Sequence, residues 1–99
     1  MQRDLARIQE LFHGLIRSRC AEGGIKVPEE LPSLANLKVS DKETYFPVEG
    51  MYGGFSFKLE ERDGEPCLIG SSWVRVVEGS GMRHLITPKQ VLPEDEGFV

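Results

Sequence analysis

The chain has 99 residues, of which 39% are apolar and 28% charged, and a formal net charge of -4. That length suits one domain, residues 1–99, built on one hydrophobic core, and the composition excludes a disordered chain. The acidic surplus weighs against nucleic acid as a partner, because such affinity comes largely from phosphate neutralisation.

The amino-terminal sequence "MQRDLARIQELF" has polar residues inside every apolar run. It reads neither as a signal peptide nor as a membrane span, so residence in the cytoplasm is expected, with no membrane partner. The spacing predicts a helix over residues 3–21. Leu5, Ile8, Leu11, Phe12, Leu15 and Ile16 recur three, four and seven apart, forming one broad apolar stripe. Arg3, Arg7, Glu10 and Arg17 fall mainly on the opposite side. Asp4 is the expected N-cap. Gly23 and Gly24 end the pattern, since glycine readily takes the left-handed C-terminal position. Gly14 costs about 1 kcal/mol against alanine in a helix, which points to another segment passing close to it. The arginines of this helix are the basis of the nucleic-acid reading, which the overall charge disfavours.

Residues 25–42 hold Pro28 and Pro32 and no sustained period, so they read as a connector wrapping the surface. Leu31, Leu34 and Leu37 share a spacing of three and suggest a short helical turn. The segment is too apolar for a free linker.

From residue 43 to residue 87 the apolar period changes to two. "TYFPV" reads as an edge strand limited by Pro47. In "FSFKLE" the apolar Phe55, Phe57 and Leu59 alternate with Ser56, Lys58 and Glu60, as in a strand with one buried face. Asp63-Gly64 is a strong hairpin signal. "CLIGSSWVRVV" follows as a central strand with a bulge expected near Gly70. The stretch "EGSG" turns the chain into "MRHLIT", and residues 88–99 form an acidic tail whose end, Phe98 and Val99, is apolar enough to dock. The expected fold class is therefore α+β in two layers: one long amino-terminal helix on a three- to four-stranded antiparallel β-meander.

The glycine-rich "GMYGGFSF", residues 50–57, lacks both the GxGxxG and the GxxxxGK[ST] spacing of nucleotide loops, and it continues into a strand. Gly53 and Gly54 more simply permit a sharp bend, or close approach by a large neighbour such as Trp73. In "EGSGM" a turn could cup an anion, although hairpins carry glycine for conformational reasons alone.

Four residues form the candidate ligand site: Tyr52, Trp73, Arg75 and His84. With Phe55 and Phe57 against the helix, Tyr52 faces away from it, and Trp73, Arg75 and His84 are expected on the same side. An aromatic floor with an arginine and a histidine suits a small anionic or planar ligand. The bland counterpart is a tryptophan covering the sheet with Arg75 stacked on it. No catalytic residues are assigned, because Ser71 and Ser72 lack a nucleophile elbow and nothing ties either to His84. A small enzyme acting on a polar or anionic metabolite through His84 and Arg75 is the runner-up to a non-enzymatic ligand-binding or protein-interaction domain.

Cys20 and Cys67 form no CxxC pair, and Cys67 reads as a small core residue. Glu60, Glu61 and the "PEDE" run lack metal-ligand spacing. No metal and no cofactor is expected. The uncovered sheet face, with Tyr52, Trp73 and Val77, favours a homodimer, unless the connector covers that face instead.

Overall fold

The computed structural model describes residues 2–73 and 81–93; the side chains of Gln2, Tyr52 and Trp73 lie outside the description. The helix α1 spans Gln2–Gly23, one residue longer than expected at its start and two at its end. Asp4 therefore sits inside the first turn rather than capping it. The helix closes on Gly24, at φ +66°, with Ile25 N–H donating to Cys20 O at 2.8 Å and Gly24 N–H to Ala21 O at 3.2 Å. That bond pair is the Schellman arrangement, and it turns Ile25 back toward the core.

Five antiparallel strands follow in the spatial order of the chain: β1 (Thr44–Phe46), β2 (Tyr52–Arg62), β3 (Glu65–Trp73), β4 (Gly81–Ile86) and β5 (Val91–Pro93). The meander thus has one strand more than the sequence suggested, and the extra one lies at the start of the supposed tail. Thr87 makes the turn before it, its N–H donating to Gln90 O at 2.9 Å while its Oγ1 accepts from the N–H groups of Lys89 and Gln90. The β2–β3 hairpin turns through Asp63 and Gly64, both at positive φ, as a two-residue type I′ turn requires.

The register sorts the sheet's residues into two faces, because directly opposite partners share a face. Phe55, Phe57 and Leu59 pair with Ser72, Gly70 and Leu68, which in turn pair with Met82, His84 and Ile86. This face lies under α1. Phe12 seats its ring over Gly70, where a Cβ would stand 3.7 Å from it, and meets Phe57 and Phe55 edge-on at 4.9 and 6.0 Å between centroids. Leu5, Ile8, Ile16 and Cys20 complete the helix's side of the buried cluster.

No bulge occurs at Gly70, through which pairing runs unbroken on both sides; the register shifts instead between Tyr52 and Phe55. Gly54 holds φ +66°, and a Cβ there would collide with Phe46 O and stand 2.8 Å from Pro47 Cα. The bend is thus imposed by backbone passing from β1. Gly14, by contrast, has nothing within 4 Å of where its Cβ would be, so no segment explains it.

The connector lies beside α1. Gln9 Oε1 accepts from Leu34 N–H at 2.7 Å, and His13 Nε2 meets Pro32 O at 2.7 Å. Leu34 is fully buried, and Ile25, Val27, Leu31 and Leu37 pack around the same cluster. The expected helical turn is a single hydrogen-bonded turn, Leu37 N–H to Leu34 O at 3.0 Å. The segment ends at the sheet edge, where Val39 bridges Leu59 and Ser40 N–H donates to Leu59 O at 3.1 Å.

Candidate functional site

Of the four residues expected to form one site, the structure describes the backbones of Tyr52 and Trp73 and the whole of His84. Tyr52 and Trp73 are backbone partners across β2 and β3, with Gly81 on the far side of Trp73. Arg75, Val77, the start of the "EGSG" turn, and Phe98 and Val99 lie outside the described residues. His84 falls on the helix side of the sheet, opposite Gly70. It does not share the outward face, because its partner Gly70 lies opposite Phe57, whose side chain is buried under α1.

His84 instead belongs to a polar cluster at the carboxyl end of α1. Arg19 is only 3% exposed, although arginine is among the least buried residue types. Its Nε donates to Ser72 Oγ at 3.1 Å, its Nη2 reaches Ser72 O at 3.5 Å, and its Nη1 donates to both carboxylate oxygens of Glu22 at 3.2 and 3.3 Å. Glu22 is half exposed, so the ion pair keeps one foot in water. Half-buried His84 has no hydrogen-bond partner among the described residues. Burial lowers its pKa first; the positive charge of Arg19 lowers it further, while Glu22 raises it. The Arg19 guanidinium, bound at once to Ser72 on β3 and Glu22 on α1, fastens helix to sheet. Arg19 was legible at the sequence level: three residues after Ile16 and seven after Phe12, it projects into the middle of the apolar stripe.

The opposite face of the sheet turns away from α1 and carries the alternate side chains of each strand. Ser56, Lys58 and Glu60 point there from β2, since their neighbours Phe55, Phe57 and Leu59 are buried under the helix. Tyr45, Ser56, Ser71 and Arg83 form one row across β1 to β4. Lys58, Ile69, Leu85 and Leu92 form the next, across β2 to β5. Tyr45 is 56% and Leu92 37% exposed. Lys58 and Arg62 both pair with Glu60, at 3.4 and 3.2 Å. Ile69 and Cys67 are buried on this side, outside the main cluster. A depression of about 190 Å³ beside Cys67 is lined by Arg62, Glu65, Pro66, Leu85 and Thr87, among others. A cleft of about 270 Å³ lies between α1 and the connector, against Leu5, Gln9 and Ser33.

Both cysteines are buried thiols, and burial raises the pKa of Cys20 above its ordinary value, leaving it unreactive. Among the described residues no three His, Cys, Asp or Glu side chains cluster to hold a metal ion, and no helix is long and apolar enough to cross a membrane. No family model, curated protein or solved structure matches the chain.

Proposed function

We propose that this chain is a small non-enzymatic binding domain of the cytoplasm, and that it takes a small anionic or planar ligand on the open face of its sheet. The observation behind this reading is the division of labour between the two faces. Helix and connector share the buried cluster on one side, whereas the other side combines exposed Tyr45 with half-buried Arg83. Binding is favoured over catalysis because His84, the candidate base, sits beside Arg19 on the helix side and lines neither of the two clefts described above. Two buried thiols without a disulfide suit a reducing compartment. The test is amide chemical-shift mapping of the labelled protein against a fragment set containing acids, bases and neutral aromatics. Saturable shifts gathered on Tyr45, Ser56, Ser71 and Arg83 support the reading; a set in which every hit maps to the helix side, or in which none binds, sinks it.

A homodimer through the same face is the second reading. The neighbouring pair of half-buried Leu85 and 37%-exposed Leu92 favours it, since apolar surface of this kind is commonly an interface. Light scattering at tens of micromolar protein separates the two, because a dimer doubles the 11.1 kDa mass of the chain.

A further inference from the structure

We infer that the open face contains an oxyanion site in which the Arg83 guanidinium and the hydroxyls of Ser71 and Ser56 grip the phosphate or carboxylate group of a small molecule. This inference rests on the reading of the open face as a binding surface and names the chemistry that surface selects.

The site follows from register. Ser56 lies opposite Ser71, and Ser71 opposite Arg83, so these side chains stand side by side on neighbouring strands. Directly opposed Cβ atoms are about 5 Å apart, close enough for two side chains to converge on one oxyanion. Tyr45 extends the row past Ser56, and with strands spaced about 4.8 Å the row spans roughly 14 Å. A ligand anchored at Arg83 thus has Ser56 and then Tyr45 ahead of it.

The donor count explains why the ligand should be anionic. Guanidinium offers five N–H donors and no acceptor, and each serine hydroxyl adds a donor. None of Tyr45, Ser56, Ser71 or Arg83 has a side-chain hydrogen bond or ion pair among the described residues. Ser56, Ser71 and Arg83 are nevertheless half-buried, so part of their hydration is already lost. Nearby, Lys58 and Arg62 share the Glu60 carboxylate. Arg83 is therefore the cation of this face that lacks a carboxylate among the described residues. A phosphate or carboxylate supplies the missing acceptors, and a planar guanidinium matches either one bidentately.

Three probes sharing one ring test the inference on the full chain: phenyl phosphate, benzoate and phenol, each followed by amide shifts and by the Arg83 Nε–H signal. The expected result is saturable movement of Ser56, Ser71 and Arg83 with at least one of the two anions, the responsive anion identifying the group recognised. Arg83→Gln should weaken that binding by about tenfold or more. Ser71→Ala should weaken it about threefold, and Lys58→Gln, which removes a cation already paired, by less than about twofold. Equal response to phenol overturns the oxyanion claim while leaving the face as a binding surface. Equal weakening by Lys58→Gln and Arg83→Gln reduces the effect to general charge and also overturns it. Silence of the face toward all three probes removes this inference, and the binding reading then stands or falls with the wider fragment set.

Discussion

Arg19 on α1 and Ser72 on β3 are joined twice across the helix–sheet interface, through Nε to Ser72 Oγ at 3.1 Å and through Nη2 to Ser72 O at 3.5 Å. The serine is 4% exposed, so its hydroxyl has little water to fall back on. Ser72→Ala leaves a buried, charged donor without its acceptor and should destabilise the fold by about 1–3 kcal/mol. Arg19→Ala removes packing as well and should cost at least as much, about 2–4 kcal/mol. Urea denaturation measures both; a loss below about 0.5 kcal/mol for either would mean that the contact is ornamental.

The histidine beside this pair makes stability depend on pH. Its pKa is lowered in the folded protein, so below the unfolded value of about 6.5 the unfolded chain binds more protons. Stability should therefore be full above that value, fall as pH drops through it, and stop falling from this source below the folded pKa. The groups facing His84 from α1 are Arg19 and Glu22, and Arg19 outweighs Glu22 in the direction of the shift. His84→Asn should flatten the change between pH 7.5 and 5.5 relative to the parent. Identical slopes for parent and variant would refute the assignment.

Two glycines should respond to alanine with opposite signs. Gly14→Ala meets open space inside a helix and should stabilise by about 1 kcal/mol. Gly54→Ala must hold a left-handed conformation and push back the Phe46–Pro47 backbone, so a loss of at least about 3 kcal/mol is expected. Thermal melts of both variants check the pair, and a stabilising Gly54→Ala would contradict the bend described at the start of β2.

The connector's hold on the helix depends on Gln9. Gln9→Leu keeps the bulk but removes the acceptor of Leu34 N–H, a 2.7 Å bond. Hydrogen exchange at Leu34 should quicken by about tenfold, with a stability loss of about 1 kcal/mol. Unchanged exchange at Leu34 would show that the connector is held by its leucines alone.

How far the sequence carried depended on the range of the forces involved. The helix, the Phe55–Leu59 alternation and the Asp63-Gly64 turn follow from local period and local φ preference, and all three were legible. The strand Val91–Pro93 was not, because three residues are too few to express a period and Pro88 precedes them. The face of His84 depended on the β3–β4 register, which sets it opposite Gly70 and which local period does not record, and the bend at Gly54 depended on backbone eight residues away at Phe46. Leu34 and Leu37 suggested one short turn by their spacing, and the bond from Leu37 N–H to Leu34 O forms it. Arg19 is legible too, since its spacing from Phe12 and Ile16 sets it within the apolar stripe. Among the candidate ligand residues, Tyr52 and Trp73 lie on adjacent strands as expected and Arg75 lies outside the described residues, while the place of Arg83 beside Ser71 needed the β3–β4 register.

The most direct test is to observe which way neighbouring residues on β4 point. In the labelled protein, the His84 ring protons should show nuclear Overhauser contacts to side chains of α1 around Arg19, and the Arg83 methylenes should show contacts to Ser71 and Leu85 but none to α1. Contacts from Arg83 to the helix, with His84 on the outer side among Tyr45, Ser56 and Ser71, would reverse the register and contradict the account of both faces.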